Sequence, residues 1–215
     1  MGMLTIVLQG TGILSMFAAD AGADHVYSCE MAEIAYDCID IVRENNLQDK
    51  ITVLKGKAEE QYEKIKDCDV IISEWMGYCL LFEGMLDSVI KVRGQLVRRL
   101  LFFARGSLDK VVNMILDKIL KPDGLMIPAT ANIEVCLMNN RDHWDYYNGF
   151  WGDVYGFKMN SMKKKTKYEA QVIAMDSRHV GSKLQELIKW NLKTCSIADL
   201  TFSSKIDLRI ELNII

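Results

Sequence analysis

Residues 3–8, MLTIVL, form a short run that is apolar but for Thr5 and stops at QGTG. A run this short with no polar alternation reads as a strand buried on both faces, and such strands belong to parallel sheets covered by helices. The same rhythm then repeats. Ile13 to Ala21 is small and apolar, as suits a helix packed on a sheet, and Gly22 ends it. HVYSCE (25–30) reads as a second strand, ITVLKG (51–56) as a third and DVIISE (69–74) as a fourth. Between the second and third, residues 31–46 place Ile34, Cys38, Ile41 and Val42 on one helical face. This alternation predicts an α/β fold on a largely parallel sheet.

After Leu125 the rhythm changes. NIEVCLM (132–138) and IDLRIEL (206–212) alternate like half-buried strands, and helical periods are weak between them. A boundary is expected near Pro128, with an α/β domain over 1–128 and a smaller β-rich domain over 129–215. A length of 215 residues suits one domain plus a smaller partner. Net charge is −3 with a pI near 5.7, which argues against a protein built to grip phosphate backbones. Six cysteines without a CxxC pair and three histidines without ligand spacing predict reduced thiols rather than a metal site or a disulfide frame. No signal-peptide pattern opens the chain and no apolar run is long enough to span a bilayer. The expected location is therefore cytoplasmic, with the nucleus as an alternative.

Two sets of residues point to chemistry. Gly10 and Gly12 stand between the first strand and the first helix, where missing Cβ atoms let backbone approach a ligand. Glu30 ends the second strand, in position to accept hydrogen bonds from ribose hydroxyls. A plainer reading keeps the glycines as turn residues and Glu30 as an acid at a helix N-terminus. The second set is Glu74 and Glu83 in SEWMGYCLLFEGML, an apolar and aromatic stretch. Nine residues along one helix turn through about 900°, leaving the two acids on opposite faces, so they meet only if the chain doubles back. Gly77 and Gly84 offer places to bend. A converging pair of carboxylates suits a guanidinium, which stays charged and presents fork-shaped donors. Held by two acids, one nitrogen is oriented to attack an electrophilic methyl group. The alternative makes Glu83 a helix cap and pairs Glu74 with a structural arginine.

GTGILSMFAADAGADHVYSCEM, ITVLKGKAEE and DVIISEWMGYCLLFEGMLDSVI resemble the type I protein arginine methyltransferases. FWGDVYGFKMNSMKK and SIADLTFSS are most similar to one branch of that family. The resemblance implies a class I S-adenosylmethionine-dependent, Rossmann-like domain, followed by a partial β-barrel domain with a dimerisation arm over about 141–165. It implies S-adenosyl-L-methionine as cofactor, bound by Gly10, Gly12, Glu30, Ala58, Glu59 and Met76. Glu30 would hold the ribose, Ala58 and Glu59 would lie against adenine, and Met76 would pack the methionine end. Glu74 and Glu83 would be the catalytic acids that grip a substrate arginine, and Glu83 the acceptor of its proton. Substrates would be arginines in glycine/arginine-rich proteins, converted to mono- and asymmetric dimethylarginine. The aromatic stretch 142–157 would make a homodimer, with no direct nucleic-acid or membrane partner. A plainer reading places those aromatics in a barrel core.

The chain departs from the family pattern in places. Ile6 stands where the family has an aspartate, and Leu8 where it has the first glycine of the turn, so weaker cofactor binding is expected. The family's preceding helices and its later Thr-His-Trp loop have no counterpart in these residues. Residues 91–115 look inserted and carry Arg93, Arg98, Arg99 and Arg105 with Leu96, Leu100 and Leu101, by pattern an amphipathic helix that either covers a groove at the surface or meets a membrane surface or partner. KMNSMKKKTK (158–167) reads as a solvated loop. These departures keep open a catalytically impaired or inactive homologue that acts as a dimerising or protein-binding module.

Overall fold

The computed structural model describes residues 3–8, 10–61, 64–65, 67–82, 84–94 and 119–211. Five strands form one sheet in the order β3-β2-β1-β4-β5: β1 (Leu4–Leu8), β2 (His25–Glu30), β3 (Ile51–Lys55), β4 (Cys68–Ser73) and β5 (Leu120–Ile127). Every neighbouring pair in this sheet is parallel. The α/β expectation is borne out, and four of the five strands lie where the apolar runs put them.

β1 is central, in register with β2 from Leu4↔His25 to Leu8↔Cys29 and with β4 from Thr5↔Val70 to Leu8↔Ser73. Thr5, Ile6, Val7 and Leu8 are all buried, as two-sided cover requires. Helices α1 (Ile13–Asp20) and α2 (Ile34–Glu44) pack on the sheet. Their buried residues Ala18, Ala19, Cys38 and Val42 join Val7, Val26 and Ile51 in one apolar cluster. Within α2 the buried stripe is Ala35, Cys38 and Val42, with Ile34 and Ile41 half-buried at its margin. The helix starts at Ile34 rather than at 31, because Lys55 Nζ bonds the Met31 carbonyl and Glu33 and holds the entry as a loop.

β5 was not legible. Its sequence LKPDGLMI carries Pro122 and Gly124, which weaken a strand reading, yet it lies at the sheet edge, where proline is tolerated. Its register against β4 shifts between Cys68 and Val70. Asp69 sits at that irregularity, where it accepts the Leu4 amide at 2.9 Å and pairs with Lys121 Nζ at 2.6 Å. One carboxylate thus ties β4 to both of its neighbours at their amino-terminal ends.

α3 (Leu86–Arg93) follows the 74–85 loop and buries Leu86, Val89, Ile90 and Val92. Residues 91–94 close this helix, and the remaining part of the expected 91–115 insertion lies outside the described residues. β6 (Thr130–Val135) and β7 (Gln185–Asn191) form a second, two-stranded sheet. By compactness, one unit comprises Met1–Ala131 and Lys189–Phe202, and the other Asn132–Ile188 and Ser203–Ile215.

The later region differs from expectation in three respects. Residues 206–211 form no strand, because they make isolated bonds, such as Glu211 N to Gly181 O, rather than a ladder. Alternation fixes which side chains share a face, not whether a partner strand is present. Two helices, Arg141–Tyr147 and Asn160–Thr166, occupy stretches whose seven residues are too few to display a period; the second replaces the expected loop at 158–167. The aromatics of 142–157 are largely exposed, from Tyr147 at 38 % to Tyr155 at 96 %, which excludes the core reading for most of them.

Gly12 precedes α1 with φ +101°, and a Cβ there would stand 2.8 Å from Cys38 Sγ, inside the apolar cluster. Gly12→Ala should lose about 2 kcal/mol or more in urea unfolding, from left-handed strain plus overpacking. The Lys121 ammonium, and then the Leu4 amide, hold the Asp69 carboxyl below the usual carboxylate range. Since the folded value is the lowered one, this contribution is complete above the ordinary range and fades as pH falls through the lowered value. An unfolding series from about pH 7 to about pH 2 should show an acid-sensitive component that Asp69→Asn removes.

Candidate active site

In a parallel sheet all carboxyl ends face one edge, and the strand order reverses where β1 lies beside both β2 and β4. A cavity of about 610 Å³ opens at that edge. It lies within the roughly 300–1,000 Å³ typical of small-molecule pockets. Each of the first four strands sends residues to it. Leu8 and Gly10 come from the end of β1, Cys29, Glu30 and Met31 from β2, Gly56, Lys57 and Ala58 from β3, and Glu74 from β4. Met85, Ser88 and Val89, at the start of α3, complete the lining.

Glu30, Gly10, Ala58 and Glu74 are therefore brought together. Glu30 Oε1 accepts the Ala32 amide at 2.6 Å, which fixes the carboxylate, and Oε2 has no hydrogen-bond partner among the described residues. The Gly56 amide donates to the Glu30 carbonyl at 2.9 Å and ties the ends of β2 and β3 together. Gly10 has nothing nearer than Ile34 Cγ2, 4.0 Å from where a Cβ would be, so its backbone edge is open. Gly12 precedes α1 and is not among the lining residues.

Beyond β4 the chain alternates: Ser73 and Trp75 are buried, Glu74 and Met76 exposed. That is extended backbone with Glu74 and Met76 on one side. Trp75, 3 % exposed, anchors the loop. Met76 is 42 % exposed and lines no part of the cavity. The chain then reverses. Gly77 and Leu80 exchange two backbone hydrogen bonds, of 3.1 and 3.0 Å, and φ is positive at Cys79, Leu80 and Gly84. The doubling-back between the two acids is present, though its left-handed residues are Cys79 and Leu80 rather than Gly77. Tyr78 and Phe82 stack across it with centroids 6.4 Å apart. Glu83 lies outside the described residues, as does the side chain of Glu59.

Residues missed in the sequence fall into three groups, the first being Cys29 and Met31, the chain neighbours of Glu30. Gly56 and Lys57 follow β3 directly, so applying the strand-end rule to the third strand would have found them. Met85, Ser88 and Val89 arrive by packing of α3, which no local signal announces. The cavity combines apolar walls from Met31, Met85 and Val89, a carboxylate held through one oxygen, and a glycine edge, parts that suit an adenosine-like ligand. Leu8 brings a bulky side chain to that edge.

Cys29 lies in this wall yet is only 4 % exposed, and burial first, then the charge of Cys68, pushes its thiol up to about 12. At about pH 8 roughly one molecule in ten thousand carries that thiolate. Iodoacetamide should therefore modify the exposed Cys79 in the folded protein and reach Cys29 only after unfolding, as read by peptide mass mapping.

Residues 129–213 match the arginine methyltransferase oligomerization subdomain. Across 199 residues the chain is 39 % identical to protein arginine N-methyltransferase 1 of Schizosaccharomyces pombe, covering 93 % of this chain and 52 % of that protein. It is 36 % identical to the ribosomal protein arginine N-methyltransferase rmt3 of the same yeast, covering 94 % of this chain and 33 % of that one. The likeness of the later stretches to protein arginine methyltransferase 3 agrees with this second match. Among solved structures, the Trypanosoma brucei PRMT1 enzyme–prozyme heterotetrameric complex with AdoHcy contains a chain that superposes with TM-score 0.73 at 31 % identity. That superposition covers 93 % of this chain and 56 % of the other. The chain thus spans about half the length, or less, of the curated relatives it matches.

Proposed function

The chain belongs to the protein arginine methyltransferase family, and on that premise we propose that it takes part in methyl transfer from S-adenosylmethionine to arginine in proteins. The observation that carries this is the shared cavity of Glu30 and Glu74 at the carboxyl edge of the sheet. Glu30, held by the Ala32 amide, would accept from the ribose hydroxyls with its second oxygen. The turn with Gly10 and Gly12 would let the cofactor approach the backbone closely, and Ala58 with Glu59 would lie against adenine. Met76, though outside the cavity lining, belongs to the exposed side that Glu74 shares and would help pack the methionine end. When bound, S-adenosylmethionine supplies an electrophilic methyl group.

Glu74 would grip the substrate guanidinium, and Glu83 would join it by way of the reversal at Gly77–Leu80. Two carboxylates on one guanidinium fix which nitrogen faces the methyl and draw positive charge away from it. Glu83 then takes the proton that this nitrogen loses. Mono- and asymmetric dimethylarginine are the products, in glycine/arginine-rich segments whose flexibility lets an arginine reach down to the sheet edge. The exposed rings Trp144, Tyr146, Phe150 and Tyr155, within the oligomerization subdomain, would be covered in a homodimer. Domains over 1–128 and 129–215, with the dimerisation arm about 141–165, follow from the same reading. Six unpaired cysteines suit the reducing cytoplasm or nucleus.

A second reading rests on Leu8, a nearly buried side chain in the cavity wall, at the position where the resemblance implies a glycine. It makes the chain an impaired homologue that binds partners without turnover. Calorimetric titration with S-adenosylhomocysteine separates the two, since the second reading requires no micromolar binding.

Incubation with labelled S-adenosylmethionine and a glycine–arginine peptide tests the first reading. Glu74→Gln and Glu83→Gln should each lower label incorporation by about 100-fold or more, the range for removing a group that acts on the reacting nitrogen. Incorporation at the unsubstituted rate in Glu83→Gln would overturn the assignment.

A further inference from the structure

We infer that Arg93 is a positioning residue for the cofactor cavity, acting through α3; the inference rests on the reading of that cavity given above. Arg93 Nη2 donates to the Cys195 carbonyl at 2.6 Å, and Nη1 donates to the Leu192 carbonyl. Both acceptors belong to a turn that is fixed on its own account. Thr194 and Cys195 donate to the Asn191 carbonyl, Lys193 donates to Asn191 Oδ1, and Leu192 donates to the Ala129 carbonyl at 2.9 Å. Leu192 is fully buried and Cys195 nearly so, so their carbonyls have little access to solvent as an alternative partner. A guanidinium meets two such carbonyls at once with its fork of donors, and its charge favours the C-terminal end of a helix.

α3 needs this fixing. It has eight residues, fewer than an isolated helix requires to hold its shape, so its position comes from packing and from its ends. Ser88 and Val89 in its first half, with Met85 before it, form one side of the cavity wall. Val89 and Arg93 are four residues apart, which places them on nearly the same side of the helix, one turn apart. Rotation or sliding of α3 that frees Arg93 therefore carries Val89 and Ser88 with it. The turn at 191–195 leaves β7, so the tether links a strand of the later sequence to the wall of the cavity.

The test compares Arg93→Met, which keeps the stem and loses the fork, Arg93→Lys, which keeps one charged donor, and Lys121→Met, a control at the opposite end of the sheet. Two quantities are read on the full chain: affinity for S-adenosylhomocysteine by calorimetry, and amide exchange across 86–92. Loss of charge-assisted hydrogen bonds to buried acceptors should weaken binding roughly 10-fold to 100-fold in Arg93→Met, with faster exchange in 86–92. Arg93→Lys should fall between it and the unsubstituted chain, and Lys121→Met should change neither quantity. Affinity within about twofold of the unsubstituted chain and unaltered exchange in Arg93→Met or, should that variant not fold, in Arg93→Lys would overturn the inference. If the unsubstituted chain does not bind S-adenosylhomocysteine, the cofactor reading falls, while exchange across 86–92 still decides whether Arg93 holds α3.

Discussion

β1 shares parallel ladders with β2 on one side and β4 on the other, and the site depends on that double pairing. Parallel strands put all their carboxyl ends at one edge, and the reversal of strand order beside β1 keeps connecting helices from closing over it. The gap has to be lined by whatever residues follow the strands. In this chain those residues include two acids, two glycines and a short turn at Ala58–Glu60, all within reach of one cavity. Burial on both faces fixes β1, and β1 in turn fixes where Leu8, Gly10 and Glu74 emerge.

That dependence explains how much could be read beforehand. β1, β2, β3 and β4 are short apolar runs, and their ends carry Gly10, Glu30 and Glu74, so sequence alone placed these three at one edge. β5 escaped because Pro122 and Gly124 argue against a strand and only the edge position permits them. Val89 and Ser88 escaped because they reach the cavity through packing of α3, a contact between segments with no local signature. Arg93 looked like one of four arginines on a surface helix, and its role depends on carbonyls about a hundred residues later in the chain.

The region after Pro128 was read less well, for a different physical reason. Its helices have seven residues each, too few for periodicity, and its aromatics are not sorted into inside and outside faces. Rings as exposed as Tyr146 at 73 % and Phe157 at 71 % make no core, so a pattern search for a core there finds nothing to lock on to. Such surfaces are specified by what covers them, and the covering surface is not written in the same stretch of sequence.

Asp69 shows how the sheet divides its labour. Its carboxylate fastens three strands at the amino-terminal edge, through the Leu4 amide and Lys121, far along each strand from the cavity. Cohesion is thus secured at one rim while recognition happens at the other. With this arrangement a residue on the recognising rim, such as the leucine at position 8, can change without renegotiating how the strands find one another. Separating the two duties makes the scaffold evolvable.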